Sequence, residues 1–193
     1  MLKNLEKYKI LLASHSPRRR ELLSQLRVPF NVIGLSDIDE SYPTTMKKEE
    51  VPLYLANKKA DAYAPNLRET DLLITADTLV ILGDRILGKP KDRDEAIEML
   101  TSLSGKTHRV VSGVCVTTLK RRITFSAVTE VKFCDLDCRD IQYYVDNFQP
   151  YDKAGAYGIQ EWIGYVAVEW IRGSYYNVMG LPVHQLYEEL KHF

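Results

Sequence analysis

Cysteine is scarce in this 193-residue chain: Cys115, Cys134 and Cys138 are the only three, with no Cys-x-x-Cys pair among them. That excludes a disulfide framework and the usual thiolate zinc spacing, and makes a reducing cytoplasm the expected compartment. Long apolar runs are missing too. None approaches the ~18 residues of a membrane span, and residues 1–7 lack the apolar core of a signal peptide. No membrane partner is therefore expected. Net charge is absent: 26 Lys and Arg offset 26 Asp and Glu. Bulk electrostatics thus give no reason to expect a nucleic-acid partner, and any affinity for phosphate must be local. No Gly-x-Ser-x-Gly elbow occurs, which argues against a serine hydrolase of that type. Internal repeats and low-complexity tracts are also missing. With 45% hydrophobic and 27% charged residues, the chain reads as one ordinary soluble domain, residues 1–193, with length enough for two lobes.

The chain is organised around Ile10-Leu11-Leu12-Ala13-Ser14-His15-Ser16-Pro17-Arg18-Arg19-Arg20. Residues 10–12 form an apolar run too short for a helix and read as a buried strand. Ser16 followed by Pro17 starts a helix, with a hydroxyl as cap and a proline at the first position. Leu22, Leu23 and Leu26 give that helix its apolar stripe. Three arginines in the first turn are anomalous, because a helix N-terminus is already partly positive. The conflict costs about 0.3–1 kcal/mol per exposed charge. An anion resolves it: backbone N–H groups, the Ser14 or Ser16 hydroxyls and the guanidinium forks would together cradle a polyphosphate. A solvated basic face is the plainer explanation.

Further along, residues 28–35 read as a second strand. The acidic Asp37-Ile38-Asp39-Glu40-Ser41 follows as a loop, a solvated turn or a source of metal-binding carboxylate, since Mg²⁺ takes one or two carboxylates plus phosphate oxygens. Residues 49–63 are predicted helical, with Lys58 and Lys59 on different faces, so that one can look into the site opened by the first helix. Residues 72–82 are apolar on both sides and read as a central strand interrupted by Asp77. A carboxylate there requires a lysine, an arginine or a metal beside it. Gly83-Asp84 reads as a hairpin turn whose return strand delivers Lys89, placed to face Asp77. A helix capped by Asp92 or Asp94 ends at Gly105, residues 108–118 and 123–133 pair as strands, and Asp137 caps a helix over 138–148. The Gly-rich stretch 152–160 ends in Gln160, whose amide has the donors and acceptor needed to read a base edge. Residues 165–171 are predicted as a strand, 173–182 as a structured turn and 183–191 as the last helix.

Taken jointly, the order of these motifs is specific. Ala13-Ser14-x-Ser16-Pro17-Arg18-Arg19, Asp39-Glu40, Lys59-Ala60, Ala76-Asp77-Thr78-x-Val80, Gly88-Lys89-Pro90, Leu103-Ser104-Gly105, Lys153-Ala154-Gly155-Ala156-Tyr157-Gly158-Ile159-Gln160 and Gly173-Ser174-Tyr175-x-Asn177-Val178-x-Gly180-Leu181-Pro182 resemble the Maf family of nucleoside triphosphate pyrophosphatases from residue 10 onward. The Asp77-Thr78 pair and the loop ending in Gln160 resemble the branch acting on dTTP and UTP, rather than the one acting on 7-methyl-GTP. Arg20 and the short acidic loop depart from the pattern without an assignable role.

The resemblance implies an α/β fold: an elongated twisted mixed β-sheet with flanking helices and two lobes around a central cleft, as in inosine triphosphate pyrophosphatases. It implies hydrolysis at the α-phosphate to monophosphate and pyrophosphate, as nucleotide house-cleaning. In that reading Ser14, Arg18 and Arg19 hold the triphosphate. Lys59 and Lys89 add positive charge where pyrophosphate leaves. Glu40 and Asp77 hold a divalent cation (Mg²⁺, with Mn²⁺ or Co²⁺ as substitutes), and Asp77 activates water. Thr78 and Gln160 read a pyrimidine, with Arg18 contributing. A homodimer is implied as well. Two alternatives remain: a pyrophosphatase for modified or purine nucleotides, and a nucleotide-binding regulator of septum formation and cell division without turnover.

Overall fold

In the computed structural model, which describes residues 2–34 and 38–193, the elements alternate along the chain: β1 (Lys9–Ala13), α1 (Pro17–Ser24), β2 (Phe30–Ile33), α2 (Val51–Tyr63), β3 (Asp71–Leu82), β4 (Arg85–Leu87), α3 (Arg93–Leu103), β5 (Thr107–Thr117), β6 (Arg122–Phe133), α4 (Cys138–Phe148), α5 (Trp162–Ala167), β7 (Val168–Arg172), α6 (Tyr175–Met179) and α7 (Val183–Leu190). The strands form a seven-stranded sheet in the order β2-β1-β3-β5-β6-β7, with β4 paired to β3. It is mixed: β1 runs parallel to both β2 and β3, while β3–β4 and β6–β7 are antiparallel. This is the expected mixed α/β architecture. Among the described residues no helix is long and apolar enough to cross a membrane.

The chain divides into two compact units. The first comprises Met1–Asp77, Ser112–Ala127 and Gly180–Phe193; the second comprises Thr78–Val111 and Val128–Met179. Three strands, β3, β5 and β6, change unit partway along their length.

In the first unit, β1 lies between β2 and β3 in register Leu12↔Val32 and Leu12↔Ile74. Its side chains are buried from Ile10 onward, as a strand covered on both faces requires. Leu11, Ala13 and Leu73 pack with Ala56 and Ala60 of α2 and with Cys115 of β5. Each buried leucine contributes about 1.5–3 kcal/mol. Small residues bring α2 onto the sheet: a Cβ placed on Gly113 would lie 2.2 Å from the Leu53 backbone nitrogen. The Thr75 hydroxyl donates to the Ala56 carbonyl at 2.7 Å and locks the same contact.

In the second unit, Asp92 and Asp137 cap α3 and α4 by accepting the Glu95 and Arg139 backbone N–H groups at 2.9 and 2.7 Å. The Arg93 guanidinium grips Asp146 of α4 with two bonds, 2.6 and 3.0 Å. The buried core includes Leu100, Leu103, Phe133, Tyr144 and Ile163.

Four boundaries differ from the sequence reading. The strand expected over 28–35 is Phe30–Ile33; Pro29 has no N–H to give the ladder, and Leu35 lies outside the described residues. Residues 165–171 are not one strand. Tyr165 to Ala167 belong to α5, and β7 begins at Val168. The turn expected over 173–182 contains α6. The helix expected from 49 is preceded by a 3₁₀ turn, Lys48–Glu50, and α2 proper starts at Val51.

Candidate active site

The N-terminus of α1 has the local structure that its residues dictate. Ser16 is extended and its hydroxyl accepts the Arg19 N–H at 3.4 Å, with Pro17 at the first helical position. The Ser14 hydroxyl is buried and accepts the Ser16 N–H at 3.2 Å. Arg18 and Arg19 are half-buried, whereas Arg20 is exposed. The Arg19 Nε donates to the Gly180 carbonyl at 2.9 Å. Gly180 has φ +117°, a backbone conformation that favours glycine. Burial holds the Arg19 guanidinium below its ordinary pKa, and neighbouring Arg18 adds to this; the charges of Asp77 and Glu40 oppose it. These interactions put Arg18, Arg19, Glu40 and Asp77 in one electrostatic neighbourhood.

Lys59 closes the cluster. Its Nζ lies 2.6 Å from Asp77 Oδ1 and 2.8 Å from Glu40 Oε1. Lys59 and Asp77 side chains are each 13% exposed, Glu40 61%, so the pair inside is shielded and the third partner faces solvent. The cation required beside Asp77 is thus the α2 ammonium. Its neighbour Lys58 turns to the other half of the acidic loop, bonding Asp39 Oδ2 at 2.9 Å and the Ser41 carbonyl at 3.0 Å. The Ser41 hydroxyl, then Lys58, hold the Asp39 carboxyl well below the usual carboxylate range. Two adjacent lysines therefore serve two adjacent carboxylates, Asp39 on the exposed side and Glu40 beside Asp77. Asp37, the first member of the acidic patch, lies outside the described residues.

Among the described residues no three His, Cys, Asp or Glu side chains converge to hold a metal ion unaided. The donor set present, two carboxylates meeting on one ammonium, fits a divalent cation that brings phosphate oxygens as its remaining ligands.

Thr78, Lys89 and Gln160 belong to the second unit. Thr78 follows Asp77 on β3 and is half-buried, and Lys89 is exposed after β4. Gln160 has its Oε1 buried without a hydrogen-bond partner among the described residues. Around its loop are three side chains to which the sequence assigns no role: Lys153 is buried, with Nζ 2.7 Å from Asp152 Oδ1 and 3.0 Å from Glu161 Oε1. Gly180, the anchor of Arg19, stands in the sequence only as a motif glycine. A lysine directly before a small-residue run, and an acid just after it, are the local marks of the loop, and they do not tell a buried lysine from an exposed one; nothing local marks Gly180.

The fold and this cluster together define a mixed α/β protein in which a helix N-terminus, two arginines, a lysine and two carboxylates can receive a polyphosphate with its cation. The Maf-like protein family model matches residues 9–193, and the chain belongs to that family. It is 56% identical over 193 residues, covering both chains completely, to a dTTP/UTP pyrophosphatase of Parabacteroides distasonis. It is 58% identical over 191 residues to a dTTP/UTP pyrophosphatase of Bacteroides fragilis, covering 99% of each. The solved structure of a HAM1 protein from Coxiella burnetii shares the fold, with TM-score 0.52 at 14% identity over 96% of this chain and all of that one.

Proposed function

We propose that this chain hydrolyses dTTP and UTP at the α-phosphate, releasing a nucleoside monophosphate and pyrophosphate, in the cytoplasm and as a homodimer. We take residues 1–193 as one catalytic domain, since β3, β5 and β6 run through both units. The observation that carries the reading is Lys59 joining Asp77 and Glu40 beside the arginines at the α1 N-terminus. The names of relatives at 56% and 58% identity, dTTP/UTP pyrophosphatases, support the substrate.

In this mechanism Arg18, Arg19 and the α1 N-terminus bind the phosphates, replacing an unfavourable cluster of like charge by an ion pair. Ser14 shapes the turn from which they project. Asp77, steadied by Lys59 at Oδ1, takes the proton of the attacking water. Water oxygen bonds to the α-phosphorus, the bond to the bridging oxygen breaks, and pyrophosphate leaves as the anion, its charge met by Lys59 and Lys89. Glu40 and Asp77 would hold a divalent cation, Mg²⁺ by preference, which polarises the phosphates and lowers the pKa of water when bound. The protein's work is alignment and charge neutralisation, which phosphoryl transfer chiefly needs. Thr78 and Gln160 read the base. The buried Gln160 Oε1 would accept the N3–H that uracil and thymine share.

The test is incubation with Mg²⁺ and a panel of nucleoside triphosphates, with separation of products. Monophosphate and pyrophosphate from dTTP and UTP are expected. Turnover restricted to purine or modified nucleotides would overturn the substrate, and binding without products would make the protein a regulator.

A further inference from the structure

We propose that Tyr144, Glu161 and Lys153 form a positioning network that fixes the loop carrying Gln160 and thereby sets the choice between uracil and cytosine. It rests on the assignment of Gln160 to the base.

All three residues lie in the second unit. Lysine is almost never buried unless paired, and Lys153 is 7% exposed. Its ammonium is shared by Asp152, from its own loop, and Glu161, just beyond Gln160. The other Glu161 oxygen, Oε2, accepts the Tyr144 hydroxyl of α4. That phenol oxygen in turn accepts the Gly158 backbone N–H at 3.0 Å. Burial, reinforced by the Glu161 bond, pushes the Tyr144 hydroxyl far above its ordinary pKa, so it remains a donor. One phenol therefore ties both the backbone and a side chain of the loop to a rigid helix.

The packing around these bonds is closed. A Cβ on Gly158 would lie 3.0 Å from Glu161 Cδ and 3.1 Å from Lys153 Cε. At its other end the loop is pinned by the Gly155 N–H, which donates to the Gly88 carbonyl at 2.9 Å, next to Lys89. Gln160 stands between buried Ile159 and the network residue Glu161. A carbonyl oxygen left without a protein partner would ordinarily draw its loop toward a donor. Here the loop is held from both sides, so the Gln160 side chain stays where a ligand N–H can satisfy its buried Oε1. Uracil offers N3–H at that position; cytosine offers a lone pair, and two acceptors meeting would be repelled. The network turns the amide into a discriminator by denying it an alternative. Tyr144, Glu161 and Lys153 are positioning residues, since they act through Gln160.

Tyr144→Phe keeps the buried ring, stacked on Phe148, and removes only the hydroxyl. The experiment measures kcat and KM for UTP and CTP with Mg²⁺ in wild type, Tyr144→Phe and Glu161→Gln, together with amide hydrogen exchange over residues 153–161 without nucleotide. Tyr144→Phe is expected to lower the UTP-to-CTP ratio of kcat/KM by about tenfold, the factor that one hydrogen bond commands, chiefly through KM for UTP. Exchange should quicken over 153–161 and stay unchanged in α7. Glu161→Gln should move both readouts in the same direction. Equal loss toward UTP and CTP would make the network merely structural and overturn the proposal, as would wild-type exchange in a folded Tyr144→Phe. A wild type that treats UTP and CTP alike would refute the base-reading role of Gln160 itself, and with it the selection claim. The exchange result separates that failure from failure of the network to hold the loop.

Discussion

Acidification should destabilise the protein through one buried ring, that of His108. It is 1% exposed. Its Nε2 lies 2.8 Å from the Tyr157 hydroxyl, and its ring meets Phe133 edge-on at 5.0 Å. Its Nδ1 has no hydrogen-bond partner among the described residues, so a second proton would be buried without an acceptor. Burial pulls the pKa from 6.5 down to about 4. A histidine with a folded value below its unfolded one leaves the unfolded chain as the better proton acceptor. Its neutral form therefore contributes full stability above pH 6.5, and the contribution is lost as pH falls toward 4. At 1.36 kcal/mol per pKa unit the whole effect is about 3 kcal/mol, with about 2 kcal/mol already gone at pH 5. Against a usual total of roughly 5–15 kcal/mol, that is measurable.

Urea melts at intervals between about pH 7.5 and pH 4.5 would read it, with His108→Phe as the reference. That variant loses the Tyr157 bond and is expected to be weaker at neutral pH, but its stability should depend much less on pH in this window. Depressed carboxylates act lower down. Asp137, held at about 2 chiefly by the Arg139 side chain, gives up its contribution only as pH falls below its ordinary 3.8. The other three histidines, His15, His184 and His192, are exposed. Parallel slopes for wild type and His108→Phe would refute the reasoning.

Three further outcomes are expected. Asp77→Asn should cut pyrophosphate release by roughly 10²–10⁴, the span of a general base, with an unchanged circular dichroism spectrum; near-normal turnover would remove Asp77 from its role. Lys59→Met should lower kcat/KM by roughly 10²–10³, as loss of one preorganised charge does, and leave Asp77 and Glu40 facing each other, which calorimetry would register as tighter Mg²⁺ binding without nucleotide. Gly113→Ala should cost about 3 kcal/mol or more in a urea melt, because overpacking is severe where the obstacle is backbone: the new Cβ meets Leu53 Cα at 2.3 Å and the Pro52 carbonyl carbon at 2.4 Å. An unchanged midpoint would contradict the close approach of α2 and β5.

Local chemistry made much of this legible. Ser16-Pro17 started α1 where it does start, Gly83-Asp84 turned β3 into β4, and Asp92 and Asp137 capped their helices. Charge on a central strand announced that Asp77 had a cation. What no local pattern could supply was register over distance. Whether Lys58 or Lys59 meets Asp77 depends on how α2 is rotated on the sheet, which Ala56, Ala60 and Gly113 decide. The Arg19–Gly180 bond joins residues 161 apart. Tyr165 and Val166 favour strands by type, yet lie in a short helix where both are exposed, so sheet packing has no hold on them. Lys153 has a sequence context like that of a solvent-facing lysine; its burial follows from partners the fold brings to it.

Lys59 also has a consequence for the order of events. Arg18, Arg19 and Lys59 carry three positive charges against two negative ones on Glu40 and Asp77, so before any ligand arrives the cluster is balanced slightly toward cation. A bare divalent ion meets two carboxylates already sharing the Lys59 ammonium, and an approaching triphosphate meets a surplus of positive charge. On the proposed reading the nucleotide is therefore the vehicle of its own metal: the species that binds productively is the metal–nucleotide complex, and free metal in excess adds nothing until the phosphates are in place.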